Sequence, residues 1–484
     1  MTKKPKLTAK TANKYDLYEL SVQNVDFEVE FISKTFKKYN KSECNSVRED
    51  FCASAKISSA WVQNSSNNTA YAIDLDENIL QFAKKECLNS LGEDEFNRIK
   101  LIKGNSQTKQ TPKVDCVSAF NFSYWVFHNR KDLVKYFKNS YKNLIAPEGF
   151  HVELFASDIL APRQMAEGED FIFVGGIKGQ IFAINKQNPK QKILLASELN
   201  NSRGVALKDG DLYFAEVDKI WIIRDIERLL DSDSDKIFNY ELFNDDLPSD
   251  AWHGGKWIKF GSDGNLYTNV GAPCNICDDG FTKDRRYASI IKLQDKSWQT
   301  VARGVRNSVG FDWHPQTDKL YFGDNGRDWL GDDSPSCELN ILEEEDSFFG
   351  FPFLHATNII DPKFGDGIQE LNEEIVLPVL EIGAHVAPTG VSFYSGSQFP
   401  EKYQNTLFMA LHGSWNRSEK SGYKVLAVHT DEGGNITGTT DFLSGFLDGQ
   451  KSWGRPSAPL ALRDGSLLVS DDKHNAIYRI TYKK

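Results

Sequence analysis

A short phrase recurs six times after residue 168 of this 484-residue chain, and it constrains the fold more than any other feature. Each copy joins a turn, usually of the Asp-Gly type, to an aliphatic or aromatic strand, and a second strand follows. The copies begin at Glu169, Asp209, Asp263, Thr317, Gln404 and Asp464. Repeats built only of strands are typical of propellers, in which four-stranded blades surround an axis. The sequence therefore predicts a six-bladed β-propeller in preference to a two-sheet sandwich.

The first third of the chain has a different pattern, in which helical periodicity alternates with short apolar strands. We expect helices at 26–39, 78–91 and 130–144, and strands at 46–52, 70–74, 99–102 and 114–122. This alternation predicts a parallel α/β sheet. Because the pattern changes near Pro147, we expect an α/β domain at 1–146 and a propeller without helices at 147–484.

The charge balance limits the classes of partner. The formal net charge of −11 argues against nucleic acids and anionic membranes, which bind clustered Lys and Arg. A single basic run lies within residues 3–14, and no apolar stretch follows it. Because we find neither a signal peptide nor a run that could span a bilayer, we expect a cytoplasmic protein.

Two of the seven cysteines, Cys274 and Cys277, are three positions apart in the propeller. Such a pair binds metal, is redox active, forms a local bridge or stays as two thiols. No second pair completes a zinc site, which favours a bridge or two thiols. The odd total leaves at least one thiol without a disulfide partner.

Polar residues gather just before or after the repeated phrase, where inserted loops on one face indicate a binding side. His253 is followed by two glycines, which let a backbone and a ligand approach closely. Arg306 and Asn307 offer fixed donors suited to carboxylates and carbonyls. The acidic, Gly-containing loop at 323–333 either binds a hard cation through oxygens or stays solvated.

Five phrases of the propeller resemble, in the same order, the blade signatures of the glucose/sorbosone dehydrogenase family. They read HGGKWIKFGSDGNLYTNVG, ARGVRNSVGFDWHPQTDKLYFGDNGRDWL, FFGFP, LHGSWNRS and GRPSAPLALRDGSLLVSDD. The resemblance spans about residues 147–482. It implies a pyrroloquinoline quinone over the central face, a calcium ion that bridges quinone and protein, and oxidation of a sugar or sugar aldehyde with delivery of electrons to an acceptor.

The resemblance also implies roles for individual residues. His253 would take the hydroxyl proton, because an imidazole titrates near the operating pH. Arg306 would steady negative charge on the quinone oxygens, with Asn307 beside it. The remaining positions are a pair whose backbone carbonyls would hold calcium, Gly326 and Arg327, and two placed in the cofactor-binding set, Arg455 and His412.

Three departures from the family pattern bear on this function. Trp252 stands where the glucose dehydrogenases carry an acid, and Ser457 stands where they carry a second arginine. No clear lysine replaces their cofactor lysine in the segment 412–417. These changes resemble the sorbosone-type branch, and they favour as an alternative a non-catalytic propeller that binds a carbohydrate or a protein.

The phrases YDLYELSVQ, REDFC, AIDLD and AFNFSY in the first third are similar to a branch of class I S-adenosylmethionine-dependent methyltransferases. This similarity implies a Rossmann-like sheet, with Asp50 in the first-strand motif and Asp74 accepting from the ribose hydroxyls of S-adenosylmethionine. Where the motif normally continues into glycine, this chain has Ala53, whose Cβ would crowd the cofactor.

Length sets the first third further apart from a complete methyltransferase. The pattern stops after the fourth strand, so the last three of seven strands would be missing, and the open edge would need a cover. We interpret this third as a truncated, inactive methyltransferase, with methyl transfer as the alternative activity. A gene fusion, or a deletion that joined two neighbours, would produce such a boundary.

Overall fold

The structure of the protein, a computed structural model, describes residues 24–40, 43–106, 114–120, 126, 132–133, 136, 144–232 and 238–483. The chain forms two compact units, Met1–Asn143 and Leu144–Lys484. This division lies next to the boundary predicted between residues 146 and 147. Among the described helices, none is long and apolar enough to cross a membrane.

The N-terminal unit contains a four-stranded parallel sheet flanked by helices. Its elements are α1 (Val25–Asn40), β1 (Ser46–Asp50), α2 (Lys56–Asn64), β2 (Thr69–Asp74), α3 (Glu77–Ser90), α4 (Glu93–Asn97), β3 (Ile99–Lys103) and β4 (Cys116–Ser118). The strand order is β3-β2-β1-β4, and every pair is parallel. The predicted parallel α/β sheet is thus confirmed. Most of the helix predicted at 130–144 lies outside the described residues, as does the end of the strand predicted at 114–122.

The second unit is a ring of six antiparallel sheets, which confirms the predicted six-bladed propeller. Blades one and two contain β6 (Pro162–Glu167), β7 (Phe171–Gly176), β8 (Ile181–Asn185) and β9 (Lys192–Ala196), then β10 (Gly204–Lys208), β11 (Asp211–Ala215), β12 (Ile220–Ile223) and β13 (Glu241–Asn244). Blades three and four contain β14 (Ile258–Phe260), β15 (Leu266–Val270), β16 (Ser289–Gln294) and β17 (Ser297–Arg303), then β18 (Phe311–Trp313), β19 (Leu320–Asp324), β20 (Ser336–Leu342) and β24 (Leu380–Ala384).

The last two blades complete the ring. Blade five contains β25 (Pro388–Phe393), β26 (Leu407–Leu411), β27 (Lys424–Thr430) and β28 (Ile436–Leu443), and blade six contains β31 (Pro456–Ala461), β32 (Leu467–Asp471), β33 (Ala476–Tyr482) and β5 (Phe150–Ser157). Short strands lie in the connections: β21 (Ser347–Phe348), which extends blade three, and the hairpins β22 (Leu354–His355) with β23 (Ile359–Ile360) and β29 (Leu447–Asp448) with β30 (Lys451–Ser452).

Each copy of the repeated phrase forms the second and third strands of one blade. Those strands are the most apolar because neighbouring blades cover both of their faces, and all of β7, β15 and β26 is buried. The prediction that the propeller contains no helices is wrong, since α5 (Ile226–Ser232) and α6 (Asp279–Thr282) lie in connections between strands. The sequence pattern that indicates α5 is only one turn long, since it consists of the two buried apolar residues Ile226 and Leu230.

The ring closes by pairing its first strand with its last. Strand β5 lies antiparallel to β33, from Phe150 opposite Tyr482 to Ser157 opposite Ala476. The Phe150 ring packs edge-on against the rings of Phe399, Tyr403 and Phe442. The two ends of the repeat region therefore complete one blade together, and neither end forms it alone.

The order of strands in the blades determines where loops converge. The start of each innermost strand lies beside the end of the second strand, as Gly204 opposite Ala215 and Pro456 opposite Asp471 show. Because every blade repeats this order around one axis, all of these ends lie on the same face. Residues just before an innermost strand, or just after a second strand, are thereby brought together.

Candidate active site

Cationic side chains mark the starts of the innermost strands in five of the six blades. Each lies at the start of its strand or up to five residues before it: Arg163, Arg203, Lys256, Arg306 and Arg455. The first three line one small cavity, together with Ser457. We call Arg163, Arg203 and Lys256 the central cations. The sequence spreads them over three blades, and the ring brings them to one place.

The central cations are poorly compensated by negative charge. Arg163 pairs with Asp472 at 2.6 Å, but its Nε is buried with no hydrogen-bond partner among the described residues. The Lys256 ammonium is buried and donates to the Gly254 carbonyl at 3.0 Å. Burial and the charge of Arg203 lower the pKa of Lys256 to about 7, and burial and Arg163 lower that of Arg203 to about 9. Such a cluster favours an anionic ligand, because an unpaired buried charge is costly.

His253 lies beside these cations, just before the innermost strand of blade three. Its Nδ1 is 2.8 Å from the carbonyl oxygen of Ala272. A carbonyl only accepts, so Nδ1 carries the proton and Nε2 bears the lone pair. Burial, together with the charges of Arg306 and Arg203, lowers the pKa of His253 to about 3. The imidazole is therefore neutral at physiological pH and able to accept a proton. Its pKa is nevertheless well below the operating range expected from the sequence, because burial and two neighbouring cations disfavour the protonated ring.

Glycines make room around the histidine. A Cβ added at Gly271 would lie 2.5 Å from the Cβ of His253 and 3.1 Å from Oδ1 of Asn307, so only glycine allows these two side chains to share this space. At Gly255 an added Cβ would lie 2.4 Å from Nε of Arg203. At Gly255 the group that approaches closely is thus the side chain of a central cation, where a backbone or a ligand was expected.

Arg306 is held rigidly by protein acceptors. Its Nε donates to the carbonyl of Asn275 and its Nη2 to the side-chain oxygen of the same residue, both at 2.9 Å, while Nη1 donates to the Asn325 carbonyl at 2.9 Å. Its backbone N–H donates to Asp324, as does that of Asn307. The guanidinium is 4% exposed and supplies a fixed positive charge.

The loop that clamps Arg306 is closed by a disulfide between Cys274 and Cys277, the bridge that the sequence allowed. Asn275 lies inside this loop. The five other cysteines, all within the described residues, are not disulfide-bonded. The bridge thereby shapes the segment on which the position of Arg306 depends.

The carbonyl oxygens expected to hold calcium, those of Gly326 and Arg327, follow strand β19 next to Arg306. Within the described residues neither oxygen accepts a hydrogen bond, so both keep lone pairs for a hard cation. The guanidinium of Arg327 forms an ion pair with Asp361. No cluster of three or more acidic, histidine or cysteine side chains that could hold a metal occurs in the described part of the chain. Calcium would thus depend on backbone oxygens here.

His412 and Arg455 lie on the same face, at the junction of blades five and six. Nε2 of His412 is 2.9 Å from Asp472, whose pKa the Arg163 charge holds well below its usual range, so Nε2 donates to this carboxylate. Arg455 donates to the carbonyls of His412 and Gly413. Within the described residues its Nη1 has no partner, and that atom is left for a ligand.

The structure shows the surroundings of two residues that depart from the family pattern, Ser457 and Trp252. Ser457 is buried and lines the cavity of the central cations. Arg163, Arg203 and Lys256 therefore supply positive charge at the place where the resemblance implied a second arginine. Trp252 is 56% exposed and contacts His253 edge-on at 5.7 Å between ring centroids. An indole thus stands beside His253, at the position where the resemblance to the glucose dehydrogenases implied an acid.

The residues expected to bind S-adenosylmethionine lie at the carboxyl ends of β1 and β2. The Asp50 carboxylate is buried, accepts from Arg48 at 2.8 Å and from the Tyr136 hydroxyl at 2.8 Å, and thus has a structural role. Asp74 is partly exposed and accepts from the backbone N–H of Ala53 at 3.3 Å. Ala53 has a positive φ of 46°, the conformation that glycine adopts most easily.

Sequence reasoning singled out His253, Arg306 and Asn307 as site residues but not the central cations or Asp472. Arg163 and Arg203 each lie six residues before a repeated phrase, at Glu169 and Asp209, and this shared spacing was a signal that could have found them. Asp472 directly follows the last such phrase's first strand.

Comparison with known proteins places the chain among relatives. A sequence model of the TrAA12-like family matches residues 288–483, from β16 to β33. An uncharacterized protein of Borreliella burgdorferi is 37% identical over 352 residues, which cover 70% of this chain and 91% of that protein. A pyrroloquinoline quinone-dependent pyranose dehydrogenase of Coprinopsis cinerea is 40% identical over 57 residues, 12% of this chain and 7% of the relative.

Solved structures share the propeller. Family AA12 of the carbohydrate-active enzymes from Trichoderma reesei, solved with calcium and with iodide, has a TM-score of 0.61 at 17% identity and covers 71% of this chain and 98% of that chain. The holo pyrroloquinoline quinone domain of the Coprinopsis cinerea pyranose dehydrogenase has a TM-score of 0.58 at 17% identity and covers 70% and 97%. At such identities the likeness shows the fold. With the sequence relatives, it confirms the resemblance carried by the blade phrases: the chain belongs to the TrAA12-like family of propellers related to quinone-dependent sugar dehydrogenases.

Proposed function

We propose that the propeller is an oxidoreductase that oxidises a sugar or sugar aldehyde, with pyrroloquinoline quinone and calcium as cofactors and an external electron acceptor. The observation that carries this proposal is the neutral His253, whose Nδ1 is held by the Ala272 carbonyl and whose Nε2 makes no hydrogen bond within the described residues. The ring is close enough to the buried Arg306 and Arg203 for their charges to lower its pKa. A base next to buried cations suits removal of a hydroxyl proton beside an anionic cofactor.

The chain's own residues divide the work as follows. His253 Nε2 accepts the hydroxyl proton while the Ala272 carbonyl holds the ring in place. The central cations and Nη1 of Arg455 would bind the carboxylates of the quinone, and the Gly326 and Arg327 carbonyls would bind calcium. Arg306, fixed by Asn275, keeps positive charge beside the reacting atoms. When bound, the quinone supplies a two-electron acceptor for the hydride that leaves the substrate carbon.

The relatives support the cofactors of this proposal by what they contain. The Coprinopsis cinerea pyranose dehydrogenase depends on pyrroloquinoline quinone, and the Trichoderma reesei protein was solved with calcium. The identity of the sugar has no such support, and a panel of aldoses is needed to find it.

The test is dye reduction by the full chain across an aldose panel, with and without added pyrroloquinoline quinone and calcium. We expect turnover only when both are present. Equilibrium binding of the quinone, followed by its absorbance, is measured on the same protein. Absence of both quinone binding and turnover would remove the proposed function.

A second candidate, a propeller that binds carbohydrate or protein without catalysis, is favoured by one observation. The donors of Arg306, and two of those of Arg455, are already hydrogen-bonded to protein carbonyls or side chains. Sugar binding without turnover, in the presence of quinone and calcium, would support this candidate over the oxidoreductase.

A further inference from the structure

Exposed tryptophans are concentrated beside the candidate active site. Of the nine tryptophans that the structure describes, six are buried or partly buried. The other three are Trp252, Trp329 and Trp415, which are 56%, 69% and 66% exposed. Trp252 precedes His253, and Trp329 follows Asp328, which contacts Arg306. Trp415 precedes Asn416, which donates to Asp328. Tryptophan side chains are usually largely buried, so three exposed ones in this part of the propeller indicate a role other than core packing.

Trp329 and Trp415 form a pair, which we call the aromatic platform. Their ring centroids are 5.7 Å apart and the rings meet edge-on at 86°. The loops that carry them come from blades four and five and are fastened together by polar contacts. Asn416 donates to Asp328 at 2.6 Å, and the Ser418 backbone N–H donates to Asp332 at 3.2 Å. The loops are thus held while the indoles stay in solvent.

The backbone of the platform is strained at one of its two tryptophans. Trp329 has a φ of 72°, a left-handed conformation that bulky residues rarely adopt. Strain of this kind persists only where the surrounding structure fixes the backbone, and it is frequent at functional sites. Two large apolar rings left in solvent, one on a strained backbone, indicate a surface that binds something apolar and flat.

The platform is connected to the candidate active site through one side chain. Asp328 accepts from Asn416 at 2.6 Å through Oδ1, and its Oδ2 lies 3.4 Å from Nη2 of Arg306. Both tryptophans follow the ends of second strands, β19 and β26, on the face that also carries His253. A ligand that is bound at His253 and is longer than one sugar ring would extend across this face toward the platform. The two loops that carry the tryptophans also carry two carboxylates and an amide, Asp332, Asp333 and Asn416. Aromatic rings together with a few polar groups are the combination that binds a polyhydroxylated ring.

We propose that Trp329 and Trp415 bind a second pyranose ring, so that the preferred substrate is an oligosaccharide and not a free monosaccharide. The apolar C–H face of the second ring lies on the indoles, while its hydroxyls reach the neighbouring carboxylates and amides. This inference rests on the proposed function, since it extends the sugar site at His253. A protein partner would also use tryptophans, but the link through Asp328 to Arg306 favours a ligand continuous with the substrate.

The experiment measures binding in the absence of quinone, so that it is independent of oxidation. The full chain is titrated by calorimetry with cellotetraose, maltotetraose and xylotetraose, and with glucose and xylose. We expect at least one tetrasaccharide to bind about tenfold more tightly than its monosaccharide, the size of one aromatic contact. The double variant Trp329→Ala, Trp415→Ala should lose this gain while its monosaccharide binding is unchanged.

A matched control is Phe243→Ala, which removes another exposed ring, in blade two, and should leave tetrasaccharide binding unchanged. Both substituted tryptophans are exposed, so the variants should fold, and their melting temperatures check this. If no tetrasaccharide binds more tightly than its monosaccharide, or if the double variant binds like the parent, the platform is wrong. If a tetrasaccharide binds but no dye is reduced, the aromatic platform is supported and the proposed oxidation is contradicted. If monosaccharides are oxidised but no tetrasaccharide binds more tightly, the proposed oxidation is supported and the platform is contradicted.

Discussion

The Nδ1 atom of His253 lies 2.8 Å from the carbonyl oxygen of Ala272, and this contact decides which ring nitrogen is the base. The carbonyl holds the proton on Nδ1, and the second nitrogen is left with a lone pair. Ala272 is itself fixed, because its N–H donates to the Arg306 carbonyl at 2.8 Å. The orientation of the base and the position of the nearby guanidinium therefore depend on the same stretch of backbone.

Replacement of His253 by Gln should remove turnover and leave quinone binding in place. Loss of a positioned base costs about 10²- to 10⁴-fold in rate, and the central cations that bind the quinone are unchanged. Dye reduction and equilibrium quinone binding measure the two effects separately. His151→Gln, which alters an exposed histidine on β5, is the matched control and should keep full activity. Persistent turnover in the His253 variant would mean that another group is the base.

The same histidine should make stability depend on pH. In the folded state the pKa of His253 is about 3, below the ordinary value of 6.5. Between these two pH values the histidine is protonated in the unfolded chain but not in the folded chain. Stabilisation is complete above about pH 6.5 and decreases as the pH falls toward 3. His253→Gln cannot take this proton, so its urea stability should fall less steeply, by up to about 1.4 kcal/mol per pH unit. Parallel slopes for parent and variant between about pH 7 and 4.5 would refute this assignment.

Lys256→Met should separate stability from cofactor binding. The ammonium is buried, and burial and Arg203 lower its pKa to about 7. Replacement of a poorly compensated charge by an apolar chain of similar length should stabilise the protein without cofactor by about 1 kcal/mol or more. Quinone affinity should fall at least about tenfold, because one cation of three is lost. Lys190→Met, at an exposed position, is the control for the loss of charge. A variant that is less stable and binds quinone normally would contradict the role given to the central cations.

The blades could be predicted from sequence because their two middle strands are local and apolar. Each phrase forms a hairpin from residues adjacent in the chain, and β19 with β20 is one example. The pairing of β5 with β33 joins segments more than 300 residues apart, and no local pattern marks it. The short helix α5 was missed because a single turn of buried spacing at Ile226 and Leu230 is too brief to be distinguished from a loop.

Residues of the candidate site could be predicted from sequence only where they belong to a recognisable local motif. His253 and Arg306 could be recognised by their glycine and asparagine neighbours in the sequence. Arg163 and Lys256 could not, because they are brought together only in a cavity that several blades form. Asp50 shows the opposite case. Its place at the end of a strand suggested a cofactor contact, but Tyr136, 86 positions away, donates to its carboxylate and completes a buried pair with Arg48.

The disulfide loop should matter for turnover through Asn275. This residue gives Arg306 two acceptors at 2.9 Å, and the Cys274–Cys277 bridge closes the loop around it. We expect Asn275→Ala to lower turnover about 10- to 100-fold, since misplaced groups at a site have effects of this size. The double variant Cys274→Ser, Cys277→Ser should act in the same direction and cost about 2 kcal/mol of stability, as suits a short loop. Asn188→Ala, at an exposed turn, is the control. Full activity in both site variants would show that Arg306 is held without the loop.

Closure of the ring should depend on Phe150. Its ring lies 4.8 Å from that of Phe399, 5.1 Å from Phe442 and 5.0 Å from Tyr482, all measured between centroids. Phe150→Ala should remove these edge-on contacts and lower the stability of the propeller by about 2 to 4 kcal/mol. Leu154→Ala, on the same strand at a position 42% exposed, should cost less than about 1 kcal/mol. Urea denaturation followed by near-ultraviolet circular dichroism measures both. Because β5 is the outer strand of blade six, equal costs for the two variants would show that the strand contributes little to closure.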